Sequence, residues 1–168
     1  QAAWIPPRLC QEHGCSSLLL ESVDSVNEKQ KVSVIAKIRK LVPDLKGKKV
    51  AIWGLSFKPK TDDIREAPSV VIINELLKLG AEVHAFDPVA ERNARRILNS
   101  IHYSETPFGA LEGAHCVVIV TEWDLFRELD KGRMKQLMAE PNVVDGRNIY
   151  EPEEMRSLGF NYIGVGRG

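Results

Sequence analysis

Apolar residues along the chain fall in short runs that are separated by charged turns. The runs Lys49–Trp53, Glu82–Phe86 and Cys116–Val120 each have the length and apolar content of a buried strand. Between the first two, Pro68–Leu79 carries apolar residues at helical spacing, with proline in its first turn and Gly80 at its end. Strands that alternate with helices at this spacing indicate a parallel sheet covered on both faces.

The same alternation continues to the carboxyl end of the chain. We predict helices over 90–98, 107–112, 124–129, 132–139 and 151–158, and strands near 101–103, 142–145 and 162–164. Cys116–Val120 is the most apolar run and is predicted to be the central strand. The fold class is therefore α/β, a Rossmann-like open parallel sheet with helices on both faces, preceded by a long connecting helix.

The connecting helix is predicted from the first part of the chain. Residues 18–42 contain no proline or glycine, and Val34 and Ile38 are among apolar residues that recur near helical spacing. Pro43 ends the helix. We divide the chain at this point into residues 1–43, a remnant of a helical region with the connecting helix, and residues 44–168, the sheet domain.

Composition and charge limit the function classes. The 168 residues are 43% hydrophobic, which is ample for a buried core. Lys and Arg together number 23, and Asp and Glu together also number 23, so the formal net charge is zero. The overall charge therefore draws the protein to neither nucleic acid nor an anionic membrane surface. No apolar run is long enough to span a membrane, and the amino end lacks the order of a signal peptide. We expect a soluble, cytoplasmic protein.

Cysteines and histidines do not predict a metal or nucleophile site. Cys10, Cys15 and Cys116 lie outside metal-type spacing and outside any glycine-rich turn that would expose a nucleophile, so we expect inert thiols in a reducing compartment. The four histidines are scattered without ligand spacing, and we assign no metal. They are His13, His84, His102 and His115.

The segment with the most chemical information is the charged loop 54–68, which follows the first predicted strand. Ligands of open α/β sheets bind at the carboxyl ends of strands, where this loop lies. It carries Lys58 and Arg65 but only one glycine, Gly54, instead of the Gly-x-Gly-x-x-Gly of a dinucleotide-binding turn. The loop is therefore expected to hold an anion with side chains, and an ordinary NAD-binding half is disfavoured.

Loops after the later strands should meet this one at the same edge of the sheet. Lys58 and Arg147 are candidates for binding a phosphate or sugar hydroxyls, because an ammonium supplies a mobile charge and a guanidinium a fixed fork. The alternative is that each is a solvated surface cation. Arg65 has a further alternative, a local ion pair with one of its acidic neighbours, such as Asp63.

Three other features of this edge have a structural and a functional interpretation. Asp87 ends the second strand, where a carboxylate could bind a ribose hydroxyl, but a turn cap is the simpler reading. The segment 61–63 is interpreted as a helix cap. Trp123 could stack on a base or sugar, although a half-buried position at the edge of the core is favoured.

Four segments together resemble the carboxy-terminal domain of the UDP-glucose/GDP-mannose dehydrogenase family, and they look like its bacterial UDP-glucose 6-dehydrogenase branch. The order of Phe57, Lys58, Thr-Asp-Asp, Arg65 and proline in the loop is the most specific feature, because it serves no general structural need. The resembling segments are 48–68, 80–88, 120–123 and 144–148. The similarity extends over roughly residues 11–168, and 18–42 resembles the helix that joins the family's two nucleotide-binding domains.

The resemblance implies an activity and site roles. The family oxidises the primary alcohol of a nucleotide sugar to a carboxylate with two NAD molecules. Phe57, Lys58 and Arg147 would then bind the UDP-sugar, and Arg65 would reach the NAD held by the protein's own amino-terminal domain. Residues 44–168 would be the UDP-binding domain, and the long helix would form a homodimer interface.

The resemblance also implies what this chain lacks. The glycine-rich NAD turn and the segment around the family's catalytic cysteine are missing, so we assign no catalytic residue and expect the chain alone to be inactive. Cys10 resembles a position after that segment. Three alternatives remain open: a UDP-N-acetyl sugar dehydrogenase domain, a GDP-mannose dehydrogenase domain, and a non-catalytic nucleotide-binding α/β module.

Overall fold

The structure is a computed structural model that describes residues 33–166. The predictions made for Cys10, Cys15, His13 and the first part of the long helix lie outside the described residues. The end of that helix, α1, is described over 33–41. No helix among the described residues has the length and apolar character needed to cross a membrane.

Six parallel strands form one sheet, as the alternation of apolar runs predicted. The strands are β1 (Lys49–Trp53), β2 (Glu82–Phe86), β3 (His102–Tyr103), β4 (Cys116–Ile119), β5 (Asn142–Asp145) and β6 (Asn161–Gly164). Their order is β3-β2-β1-β4-β5-β6, which places β1 and β4 at the centre. Connections run outward in opposite directions from these two strands, so the crevice at their carboxyl ends is the topological switch point where such sheets bind ligands.

Helices flank the sheet close to the predicted positions. They are α2 (Pro68–Lys78), α3 (Glu91–Ala94), α4 (Pro107–Leu111), α5 (Asp124–Arg127), α6 (Lys131–Leu137) and α7 (Pro152–Ser157). The predicted helix 90–98 is too long, because regular helix ends at Ala94 and the chain continues in turns in which the Ile97 and Leu98 amides donate to the Ala94 carbonyl. An apolar spacing near 3.6 does not distinguish a helix from successive turns of the same hand.

The sheet is covered on both faces, since successive side chains of a strand point to opposite sides. On one face, Ile52 packs with α2 and with Ile38 of α1. On the other face, Trp53 stacks on Phe126 with ring centroids 5.0 Å apart. Its indole nitrogen donates to the Pro107 carbonyl at 3.1 Å, which satisfies the one polar group of this buried ring.

The interpretation of segment 61–63 as a helix cap is wrong. Helix α2 begins at Pro68, and Ala67 is its N-cap without a side-chain hydrogen bond. Proline is favoured in the first turn because its missing N–H removes one of the amides that would otherwise lack a partner there. The Thr61 hydroxyl instead accepts from the Asp63 amide at 3.1 Å and organises a turn within the loop.

Candidate functional site

The loop after β1, residues 54–67, is held at its base by the loop after β4. Gly54 has a φ of +91°, and a Cβ there would lie 2.4 Å from the Thr121 Cβ. The Thr121 hydroxyl donates to the Ser56 carbonyl at 2.7 Å. The backbone of one loop thus lies directly against the side chain of the other, a contact that only glycine permits.

Asp87 fastens the same loop from the end of β2. Its Oδ2 accepts from the Leu55 amide at 2.7 Å, the Ser56 amide at 3.1 Å and the Ser56 hydroxyl at 3.2 Å. Its Oδ1 accepts from the Val89 and Ala90 amides at 3.0 and 2.8 Å. The side chain is fully engaged and only 4% of the residue is exposed. The turn-cap reading of Asp87 therefore fits the structure, and the ribose-binding reading does not.

The engagement of Asp87 also bears on NAD. In a dinucleotide-binding turn the backbone amides after the first strand face the pyrophosphate, and glycines let it approach. Here the Leu55 and Ser56 amides donate hydrogen bonds to the buried Asp87 carboxylate. The space beside Gly54 is filled by Thr121. The amides and the open space that a dinucleotide-binding turn offers to a pyrophosphate are therefore both occupied by protein groups here.

Arg147 follows β5 and reaches the loop after β1. Its amide donates to Asp145 Oδ1 at 3.0 Å, and its Nη2 lies 3.4 Å from the Phe57 carbonyl oxygen. Its Nε forms an ion pair with Glu122 Oε2. About a third of the Arg147 side chain is exposed, and no described residue bonds its Nη1. The guanidinium is thus positioned between two loops with one donor group directed to no protein partner.

Phe57 and Lys58 lie at the tip of this contact. Phe57 is 51% exposed, a large aromatic surface for a side chain that the fold does not need in its core. Its amide donates to the Asp63 carbonyl at 2.9 Å, which closes the loop on itself. Lys58 is exposed and close enough to Asp63 to help lower the pKa of that carboxyl. The structure therefore brings Phe57, Lys58 and Arg147 together at one edge of the sheet.

Arg65 belongs to the same loop but is occupied by a local partner. Its Nε and Nη2 donate to the two carboxylate oxygens of Asp63 at 3.0 and 2.8 Å, a bidentate pair. These hydrogen bonds hold the pKa of Asp63 at about 2, below its usual 3.8. The Arg65 side chain is 87% exposed. The local ion pair that the sequence left open is formed, and the guanidinium remains open to solvent.

Asp145 supports the Arg147 loop from within the core, a role that the sequence analysis did not assign. It is fully buried, and Oδ2 accepts from the Tyr150 amide at 3.1 Å and the Tyr162 hydroxyl at 2.8 Å. Gly146 lets the loop pass close to β4, since a Cβ there would lie 2.7 Å from the Ile119 carbonyl oxygen. The available signal was a carboxylate at the end of an apolar strand.

Trp123 and Cys116 have structural positions. The Trp123 indole donates to Asp87 Oδ2 at 3.3 Å, and the ring packs, partly buried, on the core of the second face. The expected position at the edge of the core therefore fits the structure. Cys116 is buried in β4, and burial raises the pKa of its thiol to about 12, which agrees with an inert thiol.

Backbone strain is concentrated beside the site. Among the described residues, positive φ at a non-glycine residue occurs at Lys60, Glu66 and Asn148, with φ of 62°, 57° and 53°. All three lie in the loops after β1 and β5. Such conformations carry a cost and persist where the surroundings impose them, often at binding sites. The Asn148 side chain compensates by bonding both polar groups of the Val165 backbone.

A doubly wound parallel sheet with cationic loops at its switch point defines an α/β domain of the nucleotide-binding class. Residues 51–152 match the UDP-glucose/GDP-mannose dehydrogenase family, UDP binding domain. The chain belongs to this family, and the matched segment is its UDP-binding domain.

Individual relatives agree with this assignment. The chain is 41% identical over 167 residues to UDP-glucose 6-dehydrogenase of Pseudomonas aeruginosa, covering 95% of this chain and 37% of that protein. It is 37% identical over 161 residues to the enzyme of Rhizobium meliloti, with the same coverage. A solved UDP-glucose dehydrogenase from Pyrobaculum islandicum superposes with a TM-score of 0.81 at 31% identity, covering 96% of this chain and 35% of that one. The chain thus spans little more than a third of these relatives.

Proposed function

We propose that this chain supplies the substrate-binding domain of an NAD-dependent UDP-glucose 6-dehydrogenase, which oxidises UDP-glucose to UDP-glucuronate. The proposal is supported by the family's UDP-binding domain and by relatives that carry this enzyme name at 35 to 41% identity. The same relatives favour UDP-glucose over an N-acetyl sugar or GDP-mannose. The observation that carries the binding site is the Arg147 guanidinium, which lies between Glu122 and the Phe57 carbonyl at the sheet's switch point.

In this proposal the cations at the edge hold the diphosphate. Arg147 offers Nη1 from a position that Asp145 and Glu122 fix in advance, so little side-chain entropy is lost on binding. Lys58 adds a mobile charge from the facing loop. Because the chain has no net charge, these few placed cations must supply the attraction for the diphosphate. Phe57 offers an exposed ring beside them for a sugar or base.

The domain's task in catalysis would be to position the substrate. NAD, where it is bound, supplies a hydride acceptor, and the turn after β1 of this domain does not fit it. We therefore assign NAD binding to the amino-terminal domain of the whole enzyme, with Arg65 extending toward it. The exposed guanidinium, paired with Asp63 on one side only, is compatible with such a contact. A cytoplasmic homodimer joined through the long helix completes the proposal.

Isothermal titration calorimetry with UDP and with uridine tests the site directly on the purified chain. We expect UDP to bind more tightly than uridine, and Lys58→Ala and Arg147→Ala each to weaken UDP binding by about tenfold or more with little effect on uridine. Lys46→Ala and Arg96→Ala remove exposed cations away from the site and should bind UDP as the parent does. Equal UDP affinity in all four variants would place the diphosphate elsewhere.

A further inference from the structure

A second cluster of ligating side chains lies at the opposite end of the sheet, where strands β2 and β3 begin. Glu82 and His84 are two residues apart on β2 and therefore share a face of the sheet. His102, on the edge strand β3, pairs in register with His84. The two imidazoles stack with centroids 4.5 Å apart. The distance in sequence between 84 and 102 hid this juxtaposition from the sequence analysis.

The ligating atoms of this cluster converge. Glu82 Oε1 lies 2.6 Å from His84 Nε2 and 3.8 Å from His102 Nε2. The three residues can direct one ligand atom each into a region where all these atoms lie within 4.8 Å of one another. Tetrahedral zinc with bonds of about 2.0–2.2 Å keeps neighbouring ligand atoms about 3.3 Å apart. The two observed distances lie on either side of that value. The stacked imidazoles, whose planes are 18° apart, must rotate out of the stack to direct both lone pairs at one ion.

We propose that Glu82, His84 and His102 bind a divalent first-row transition ion such as Zn²⁺ or Cu²⁺. A donor set of two imidazoles and one carboxylate binds these ions in preference to Mg²⁺ or Ca²⁺. The Glu82 and His102 side chains are 51% and 66% exposed, which gives the ion a path from solvent and leaves a coordination position for water. The site does not depend on the proposed function, because it lies away from the nucleotide edge.

The surroundings both favour and oppose the ion. Burial lowers the pKa of His84, and the nearby Lys49 and His102 act in the same direction, while the hydrogen bond that His84 donates to the Glu82 carboxylate opposes them. The positive charge of Lys49, whose residue pairs with Glu82 across the strands, weakens cation binding. The affinity should accordingly be moderate, and the ion would link the short edge strand β3 to β2.

Zinc titration by calorimetry tests the site, with circular dichroism melting of each variant as a folding check. The parent for this experiment carries Cys10→Ser and Cys15→Ser, so that thiolates cannot compete for the metal. Glu82→Gln and His102→Gln each remove a ligand at an exposed position. His115→Asn is the control, because it removes an imidazole outside the cluster. The Lys49 amide donates a hydrogen bond to His115 Nδ1, and the asparagine side chain keeps an acceptor for it.

We expect one saturable Zn²⁺ site in the parent and in the control, weakened by about tenfold or more in both ligand variants. Zn²⁺ should also raise the melting temperature of the parent but not of His102→Gln. With Cu²⁺, electron paramagnetic resonance should show two imidazole nitrogens in the parent and fewer in His102→Gln. Absence of saturable binding in the parent, or equal binding in the ligand variants and the control, would overturn the proposal.

Discussion

Single buried carboxylates determine the shape of the candidate site. Asp87 directly follows β2 and Asp145 is the last residue of β5. Both are almost completely buried and accept hydrogen bonds from backbone amides of the loops that follow. A buried carboxylate is costly unless every lone pair is used, so each one selects a loop conformation that supplies donors. Neither residue is proposed to contact the substrate. They position the loops that carry the cations.

Replacing Asp87 by Asn tests this role. The amide nitrogen would face backbone N–H groups that now donate to a carboxylate oxygen, so we expect a loss of about 3 kcal/mol in the free energy of unfolding. Urea denaturation followed by circular dichroism measures it. Asp124→Asn changes an exposed carboxylate and should stay within about 0.5 kcal/mol of the parent. A similar stability for both variants would contradict the role given to Asp87.

The Asp63–Arg65 pair gives a pH-dependent prediction. The folded-state pKa of Asp63 is about 2 and the usual value is 3.8. Because the pKa is depressed on folding, the pair stabilises the loop above the usual value, and this contribution disappears as the pH falls through about 2. The effect on stability is small, since the pair is exposed. Carboxyl-carbon NMR should show an Asp63 midpoint near 2, shifted toward 3.8 in Arg65→Gln.

At the level of elements, the decisive contact joins the loops that follow β1 and β4, where Gly54 lies against Thr121. The positive φ of Gly54 and the closeness of Thr121 together prevent a side chain at position 54.

Short apolar runs predicted β1, β2 and β5 with the bounds observed, because a fully buried parallel strand needs a continuous apolar segment. The direction in which each loop leaves its strand was not encoded in that pattern.

Gly54→Ala should be much more destabilising than alanine at a glycine with free space. We expect a loss of about 3 kcal/mol or more from the clash with Thr121 together with the backbone strain. Gly113→Ala is the matched control, since its φ is +68° and a Cβ there meets nothing within 4 Å. It should lose only about 1 kcal/mol. Thermal unfolding of both variants decides, and equal losses would contradict the proposed packing.

At the level of the whole molecule, the described end of helix α1 belongs to the hydrophobic core on the sheet face that α2 also covers. Val34, Ile38 and Val42 are buried with Leu45 and with residues of β1. The division of the chain at residue 43 stays a prediction. The packing nevertheless shows that α1 is fixed to the sheet in the described structure, which is the property a connecting helix needs if it is to transmit an orientation.

Ile38→Ala measures this attachment. Ile38 is completely buried, so its truncation should cost about 2–4 kcal/mol in the free energy of unfolding. Lys40→Ala changes an exposed residue of the same helix and should cost less than about 0.5 kcal/mol. Chemical denaturation of the two variants provides the comparison. If Ile38→Ala were as stable as Lys40→Ala, the helix would not be docked on the sheet as described.

The sequence by itself determined the parallel α/β sheet, the central position of β4 and the edge at which the loops carrying Lys58 and Arg147 lie. These follow from the periodicity of apolar residues and from the rule that parallel strands end at a common edge. The tertiary structure alone decided the partners of the polar groups. Asp87 accepts hydrogen bonds from the amides of the first turn, Glu122 forms an ion pair with Arg147, and the His84 ring stacks on His102. Hydrogen bonds and ion pairs act over a few ångströms between residues distant in sequence, so only the folded chain brings them within reach.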